Sequence, residues 1–127
     1  MEPLLTEADA LEERLLEFAA RAGHVVDALP ASRLGHHIAG QLVRCGTSPA
    51  PNYAEACAAE SRNDFVHKLA IVLKELRESR VWLRLCIRSK LLAETKLNAL
   101  IEETTQLMNI IAKSIVTAKA NAPKRPS

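Results

Sequence analysis

The chain has 127 residues, of which 48% are hydrophobic, 3% aromatic and 25% charged, with a formal net charge of +2 at pH 7. This length and apolar content predict one all-α domain with an aliphatic core, and they exclude disorder for most of the chain. The charge is unevenly divided, because residues 1–60 hold four basic and nine acidic residues (−5) and residues 61–127 hold thirteen and six (+7). This asymmetry indicates either a basic surface for nucleic acid or two parts that neutralise each other across an interface.

The first predicted helix covers residues 7–28. Thr6, followed three residues later by Asp9, is a helix start signal, and Pro30 ends the helix. The apolar residues step by four and three along one face, which is typical of a helix in a bundle. They are Leu11, Leu15, Phe18, Ala22, Val25 and Leu29.

The second helix is predicted to begin near Ser32, and its end is ambiguous. Its apolar positions are Leu34, Ile38, Leu42 and Cys45. We expect Gly46 to interrupt it. Ser48 followed by Pro49 indicates a new helix start, with proline in the first turn. Residues 49–58 therefore form a further helical piece, either a kinked continuation or a separate short helix.

Two longer helices complete the chain. One begins at the signal made by Ser61 and Asp64 and runs to about Ser89, with a core stripe of Phe65, Leu69, Val72, Leu76, Ser79, Leu83 and Cys86. The other begins near Ala93, with a stripe of Leu97, Ile101, Thr104, Met108, Ile111, Ile115 and Ala118. We expect the polar, basic tail at residues 121–127 to be disordered.

Together these elements predict an antiparallel up-and-down four-helix bundle over residues 1–120, with its second helix kinked or broken near Gly46–Pro51. The last two helices carry apolar residues outside their core stripes, which indicates self-association through a second surface. The predicted interface residues are Val81, Trp82, Leu85, Leu100, Leu107 and Ile110. The alternative is that Trp82 is half covered by the chain's own loops.

A row of basic residues follows one line along the third predicted helix. It consists of Lys74, Arg77, Arg80, Arg84 and Arg88. Such a row is suited to successive phosphates of a nucleic acid, since arginine offers a planar fork of donors. Alternatively, these residues form ion pairs with Glu12, Glu13 and Glu17 of the first helix, or with the nearby Glu75 and Glu78.

The remaining polar residues predict structural roles rather than catalysis. Asn52 is placed to bond the backbone at the proline break, and Glu55 to receive an arginine across the bundle. The three cysteines, Cys45, Cys57 and Cys86, indicate small, buried apolar residues in a reducing cytoplasm. No cysteine or histidine spacing fits a metal site, and no catalytic motif or membrane-spanning run is present. We therefore expect no enzyme activity, metal, cofactor, small-molecule substrate or membrane contact.

Several segments of the chain strongly resemble the bacterial four-helix-bundle proteins first associated with intervening sequences of 23S ribosomal RNA genes. These segments are GTS at 46–48, NYAEA at 52–56, ESRNDF at 60–65, LKELRES at 73–79 and WL at 82–83. The resemblance implies an up-and-down bundle, a ring-shaped homopentamer and kinship with the accessory proteins of diversity-generating retroelements, which work with a reverse transcriptase and RNA. It implies no established activity.

Two functional hypotheses follow from the sequence. The first is a non-enzymatic oligomeric scaffold or binding module for RNA, or for an RNA-processing protein, that binds through the basic row. The second is a purely structural or protein-interaction oligomer in which the same arginines are paired at subunit contacts.

Overall fold

The computed structural model describes residues 6–121, which form five helices joined by short connections. They are α1 (Glu7–Ala28), α2 (Arg33–Thr47), α3 (Pro49–Cys57), α4 (Arg62–Arg88) and α5 (Glu94–Ala120). This part of the chain contains no β-strand, and it contains no helix that combines the length and apolar character needed to cross a bilayer. The all-α prediction is confirmed. The predicted tail lies outside the described residues from position 122 onward.

The bounds of α1 follow from local side-chain chemistry. The Asp9 backbone N–H donates to the Thr6 hydroxyl at 3.0 Å, and the Thr6 N–H donates to the Asp9 carboxylate at 3.2 Å. This reciprocal cap satisfies backbone donors that the first turn of a helix leaves without partners. Pro30 lies just beyond the last turn, where the helix ends.

α2 and α3 are a single helix with a kink at Ser48. The backbone of Ser48 is right-handed helical (φ −71°, ψ −36°), and its N–H donates to the Arg44 carbonyl at 3.2 Å. The helix bends here because Pro49 and Pro51 supply no N–H to the hydrogen-bond ladder. The Asn52 side-chain amide donates to the Ser48 carbonyl at 3.0 Å, although this carbonyl already accepts the Asn52 backbone N–H at 3.2 Å. Of the two possibilities left open by the sequence, the structure has the kinked continuation.

Gly46 does not interrupt α2, so that prediction is wrong. The helix continues to Thr47, and Gly46 is buried within it. A Cβ atom at this position would lie 2.8 Å from the Cβ of Ala22 in α1, which is closer than two such atoms can approach. Glycine is therefore needed because α1 and α2 are in close contact, and not because the chain turns.

The helices surround one hydrophobic core, with α1 and α4 at opposite corners. Both α1 and α4 contact α2, α3 and α5, whereas within the described residues no Cα atom of α1 lies within 8 Å of one in α4. Arg62, the first residue of α4, donates from its guanidinium group to the carbonyl of Asn121, which directly follows α5. The start of α4 is therefore beside the end of α5.

The predicted stripes of α1 and α4 are buried except at Leu29 and Phe65, which are half-buried. Those of α2 and α5 are confirmed only in part, at Ile38, Leu42, Cys45, Leu97, Thr104 and Ile111. Leu34 is 38% exposed, and the neighbouring Gly35 is buried in its place. In α5, Leu100 (3% exposed) and Leu107 (0%) lie in the core. Ile101 and Met108, which were predicted for the core stripe, are only half-buried. The buried face of α5, which packs against α1 and α4, is therefore rotated relative to the predicted stripe.

Candidate nucleic-acid interface

The side of α4 that faces α2 has its acidic residues neutralised. Arg44, near the end of α2, pairs with Glu75 at 3.1 Å and also with Glu78. The hydrogen bond to Glu78 raises the pKa of the Arg44 guanidinium above its usual value. Both glutamates are therefore held by a residue outside the basic row. The sequence had proposed them as partners of the row.

Deeper on the same side of α4, a thiol and a hydroxyl form a buried contact. The Ser79 hydroxyl lies 3.2 Å from the Cys45 Sγ and donates to the Glu75 carbonyl at 2.8 Å. Burial raises the pKa of the Cys45 thiol to about 11, and the hydrogen bond with Ser79 offsets only part of this effect. Cys45 is therefore a protonated packing residue at neutral pH.

Trp82 is half-buried and packs against α2. Its ring meets His37 edge to face, with centroids 5.6 Å apart and an interplanar angle of 79°. The Trp82 Nε1 atom is buried and has no hydrogen-bond partner among the described residues. The chain itself thus covers part of Trp82, but with helix α2 and not with the loops expected in the alternative.

The opposite, outward side of α4 carries the basic row. We call this surface the basic face, defined by Lys74, Arg77, Arg80, Arg84 and Arg88. Four of these side chains are exposed, and Arg80 is half-buried. Within residues 6–121, no carboxylate lies within 4.0 Å of any of their charged groups. The acidic residues of α1 are at the opposite corner of the bundle, so they cannot neutralise this face in the same chain.

Between α4 and α5, part of the basic face borders a cleft of about 250 Å³. Arg80, Arg84 and Arg88 line it from α4, and Glu94 and Asn98 line it from α5. The Arg80 Nε atom is buried without a hydrogen-bond partner in the described part of the chain. Glu94 and Asn98 were not predicted as site residues, and no sequence spacing connects them to α4.

The residues predicted for the oligomer interface lie partly on the surface and partly in the core of the chain. Val81 is 54% exposed and lies within the basic face, while Leu85 and Ile110 are half-buried. Leu100 and Leu107 are core residues of the chain itself, so their assignment to an exposed interface is wrong. Their apolar character is explained by packing of α5 against α1 and α4.

The predicted structural residues are placed at helix starts and at the kink. Ser61 accepts a hydrogen bond from the Asp64 N–H at 3.1 Å and caps α4. Asn52 donates a side-chain hydrogen bond to the Ser48 carbonyl at the kink. Glu55 pairs at 2.7 Å with Lys68 of α4, so its partner is a lysine instead of the expected arginine. The pair is largely exposed, and such pairs contribute little to stability.

The described residues give little support for a metal site or for a catalytic thiol. No group of three or more His, Cys, Asp or Glu side chains there could hold a metal ion. Cys45 and Cys86 are free thiols and are buried as predicted, whereas Cys57 is an exposed free thiol, so the prediction of burial is wrong for this residue. The arrangement that stands out chemically is the set of guanidinium groups on the basic face, which provide planar donors suited to phosphate oxygens.

Comparison with known proteins gives a consistent result. The family described as 23S rRNA-intervening sequence protein matches residues 13–113. A crystal structure from Bacteroides thetaiotaomicron is similar in fold, with a TM-score of 0.77 and 31% sequence identity over 83% of this chain and 97% of that chain. That protein is described as having unknown function and as belonging to the S23 ribosomal protein family. A search of curated proteins gives no match.

Proposed function

The chain belongs to the 23S rRNA-intervening sequence protein family, and from this premise we propose that it is a non-enzymatic binding module for RNA that acts through the basic face of α4. One observation carries the proposal. The arginines of this face have no carboxylate partner in the described chain, whereas the nearby Glu75 and Glu78 are held by Arg44. Unpaired arginines on one helix are suited to contact consecutive phosphates.

A salt titration of RNA binding tests the proposal. The probe is a fluorescein-labelled, single-stranded RNA oligonucleotide of mixed sequence, and the readout is anisotropy at several salt concentrations. We expect binding that weakens steeply with salt, because each phosphate contact releases a counterion. The variant Arg77→Ala/Arg84→Ala/Arg88→Ala removes three exposed cations. The slope of log K against log salt is negative, and this variant should make it shallower by about 2.

A matched control removes the same charge elsewhere. The variant Arg33→Ala/Lys96→Ala/Lys119→Ala also removes three exposed cations, so that both variants change the net charge from +2 to −1. The control should keep most of the RNA affinity and the salt slope. Equal losses in the two variants would mean that only net charge matters. If the wild-type protein does not bind at all, RNA binding is refuted.

Self-association is the second candidate, and a specific observation favours it. Val81 and Leu85 share a shallow surface depression with Arg84 and Arg88, which places apolar area inside the basic face. On α1, at the opposite corner, Leu16 is 48% exposed beside exposed acidic residues. In this alternative the chain is a structural or protein-interaction oligomer, with the homopentamer as its assembly and the arginines paired across subunits.

Light scattering distinguishes the two candidates with the same variants. In the structural alternative, the α4 triple variant dissociates and its mass falls, while the control keeps its mass. In the RNA-binding proposal, the α4 variant keeps the wild-type mass and loses only RNA affinity. A wild-type protein that is monomeric at all concentrations would refute the oligomer.

The finer features of the architecture are part of the proposal. We propose one domain over residues 1–120, with antiparallel, up-and-down helices, in a cytoplasmic protein. The contact of Arg62 with Asn121 supports opposite directions for α4 and α5, and the unpaired cysteines agree with a reducing compartment. A crystal structure with parallel neighbouring helices would contradict the topology. Recovery of the protein outside the cytoplasmic fraction of lysed cells would contradict the location.

A further inference from the structure

We propose that the cleft between α4 and α5 binds a phosphate monoester, such as the terminal phosphate of an RNA chain, through Arg80, Arg84 and Arg88. This inference rests on the proposed RNA binding and adds to it a preference for one kind of RNA end. The remainder of the basic face follows the outer surface of α4. The cleft is different because a second helix borders it and side chains of both helices line it.

The charge of the cleft matches a monoester better than an internal phosphate. Three guanidinium groups and one carboxylate, that of Glu94, give its ionisable lining groups a net charge of +2. A terminal phosphate monoester carries about −1.5 to −2 at pH 7, whereas each internal phosphate of a nucleic acid carries about one negative charge. A chain end can therefore neutralise the cleft, and an internal phosphate leaves an excess of positive charge.

The state of Arg80 supports a ligand in the cleft. Its Nε atom is buried and has no hydrogen-bond partner in the described chain, so its desolvation is not compensated. A phosphate in the cleft would offset this cost through the terminal nitrogens of the guanidinium group, because the Nε atom itself is out of contact with solvent. Glu94 does not fulfil this role, because no salt bridge joins it to the arginines across the cleft.

The first turn of α5 adds a further attraction for an anion. α5 begins at Glu94, beside the cleft, and no side chain caps its first turn. The Lys96 N–H of this turn donates to the Ala93 carbonyl at 3.0 Å. The N–H groups before it have no helical partner and favour an anion through the helix dipole. Asn98, one turn further along, provides both a donor and an acceptor.

The size of the cleft limits what it can hold. Its volume of about 250 Å³ is below the range of ~300–1,000 Å³ typical of pockets that enclose drug-sized ligands. The cleft therefore accommodates a phosphate group and the sugar attached to it more readily than a whole enclosed nucleotide. Ile87 and Ile101 provide apolar area that is compatible with a sugar face.

The test compares RNA ends that differ only in phosphorylation. RNA oligonucleotides of one sequence carry a 5′-phosphate, a 3′-phosphate or hydroxyl groups at both ends, and adenosine monophosphate and inorganic phosphate serve as free ligands. We expect wild-type protein to bind one of the phosphorylated RNAs about tenfold more tightly than the hydroxyl RNA, the gain typical of added charge-assisted hydrogen bonds.

Two variants should move this preference in opposite directions. Arg80→Gln removes a cation from the cleft and should abolish the preference, while binding of the hydroxyl RNA persists through the other arginines. Glu94→Gln removes the competing carboxylate and should increase the preference. Because Glu94 is exposed, this variant keeps the test valid even if Arg80→Gln unfolds. Thermal unfolding followed by circular dichroism checks both variants.

The outcomes separate this inference from the proposed function. If wild-type protein binds all RNAs equally, the cleft inference is overturned while RNA binding stands. If RNA does not bind but adenosine monophosphate or inorganic phosphate does, and Arg80→Gln weakens it, the cleft is a site for free phosphate compounds and the RNA proposal fails. The absence of binding to RNA and to free phosphates overturns both.

Discussion

The two sides of α4 differ in how their charges are used. On the side facing α2, Arg44 holds Glu75 and Glu78, and Ser79 contacts Cys45 in the buried layer beneath. On the outward side, the arginines have no acidic partner in the described chain. Glutamate and arginine alternate within one short segment of sequence, yet the fold separates them. One side of the helix maintains the bundle, and the other is free to bind a partner.

The largest expected difference between these sides is in stability. Leu83 is fully buried and Val81 is 54% exposed, although the two residues are close in sequence. Leu83→Ala should lower the free energy of unfolding by about 2–5 kcal/mol, because it leaves a cavity in the core. Val81→Ala should change it by less than about 0.5 kcal/mol. Urea denaturation measures both, and similar losses would show that Val81 is buried by another subunit.

Thiol reactivity gives the second contrast. Burial keeps Cys45 protonated, with a pKa of about 11, whereas Cys57 is exposed. A thiol-alkylating reagent at pH 8 should modify Cys57 rapidly and Cys45 more than about a hundredfold more slowly, because only thiolates react. Mass spectrometry of peptides follows each site, and rapid modification of Cys45 would contradict its burial.

The same thiol predicts a pH dependence of stability. Its folded-state pKa lies above the value of about 8.5 for an unperturbed cysteine, so the unfolded chain releases the proton first as the pH rises. The stability associated with the neutral thiol is fully present below about pH 8.5 and is lost as the pH approaches 11. Cys45→Ala should reduce this loss when unfolding is measured across that range.

Helix starts provide a smaller contrast. Ser61 caps α4 with a side-chain hydrogen bond, and Ala93 precedes α5 without one. Ser61→Ala should lower the free energy of unfolding by about 1 kcal/mol, and Ala93→Ser should raise it by a similar amount. Thermal unfolding of the two variants measures these changes. If Ala93→Ser does not change the free energy of unfolding, the first N–H groups of α5 already have a hydrogen-bond partner other than a capping side chain.

The smallest expected effect concerns Arg44 and RNA. Arg44→Gln leaves the basic face intact but releases Glu75 and Glu78 from their pairs. The two carboxylates would then repel bound RNA. Because salt in the solvent screens this repulsion, RNA affinity should fall by less than about fivefold. Anisotropy at low salt measures the change, and Glu78→Gln in the same background should restore it. A loss as large as that of the α4 triple variant would place Arg44 within the binding surface.

Most of the fold was predictable because its signals are local. Thr6, Ser32 and Ser61 cap helices through their own neighbours, and Pro30 ends a helix by its covalent structure. The core stripe of α4 was also predictable, since four-three spacing determines which side chains share a face.

The wrong predictions depended on contacts between distant helices. Gly46 is required by the proximity of Ala22 and not by a helix end. Leu100 and Leu107 were assigned to a second surface because the periodicity of one helix cannot distinguish residues that pack on neighbouring helices of the same chain from residues of an oligomer interface. For the site, the row was visible in the sequence, but its freedom from Glu75 and Glu78 was decided by Arg44.

The diagonal placement of α1 and α4 has a consequence for encounter with a partner. Exposed Glu13, Glu17 and Asp27 are on α1, and exposed Arg77, Arg84 and Arg88 are on α4, at opposite corners of the bundle. A nearly neutral molecule therefore has a large electric dipole moment directed across its short axis. In the field of a polyanion, such a molecule rotates before contact, so that collisions favour one orientation and association is faster at low ionic strength.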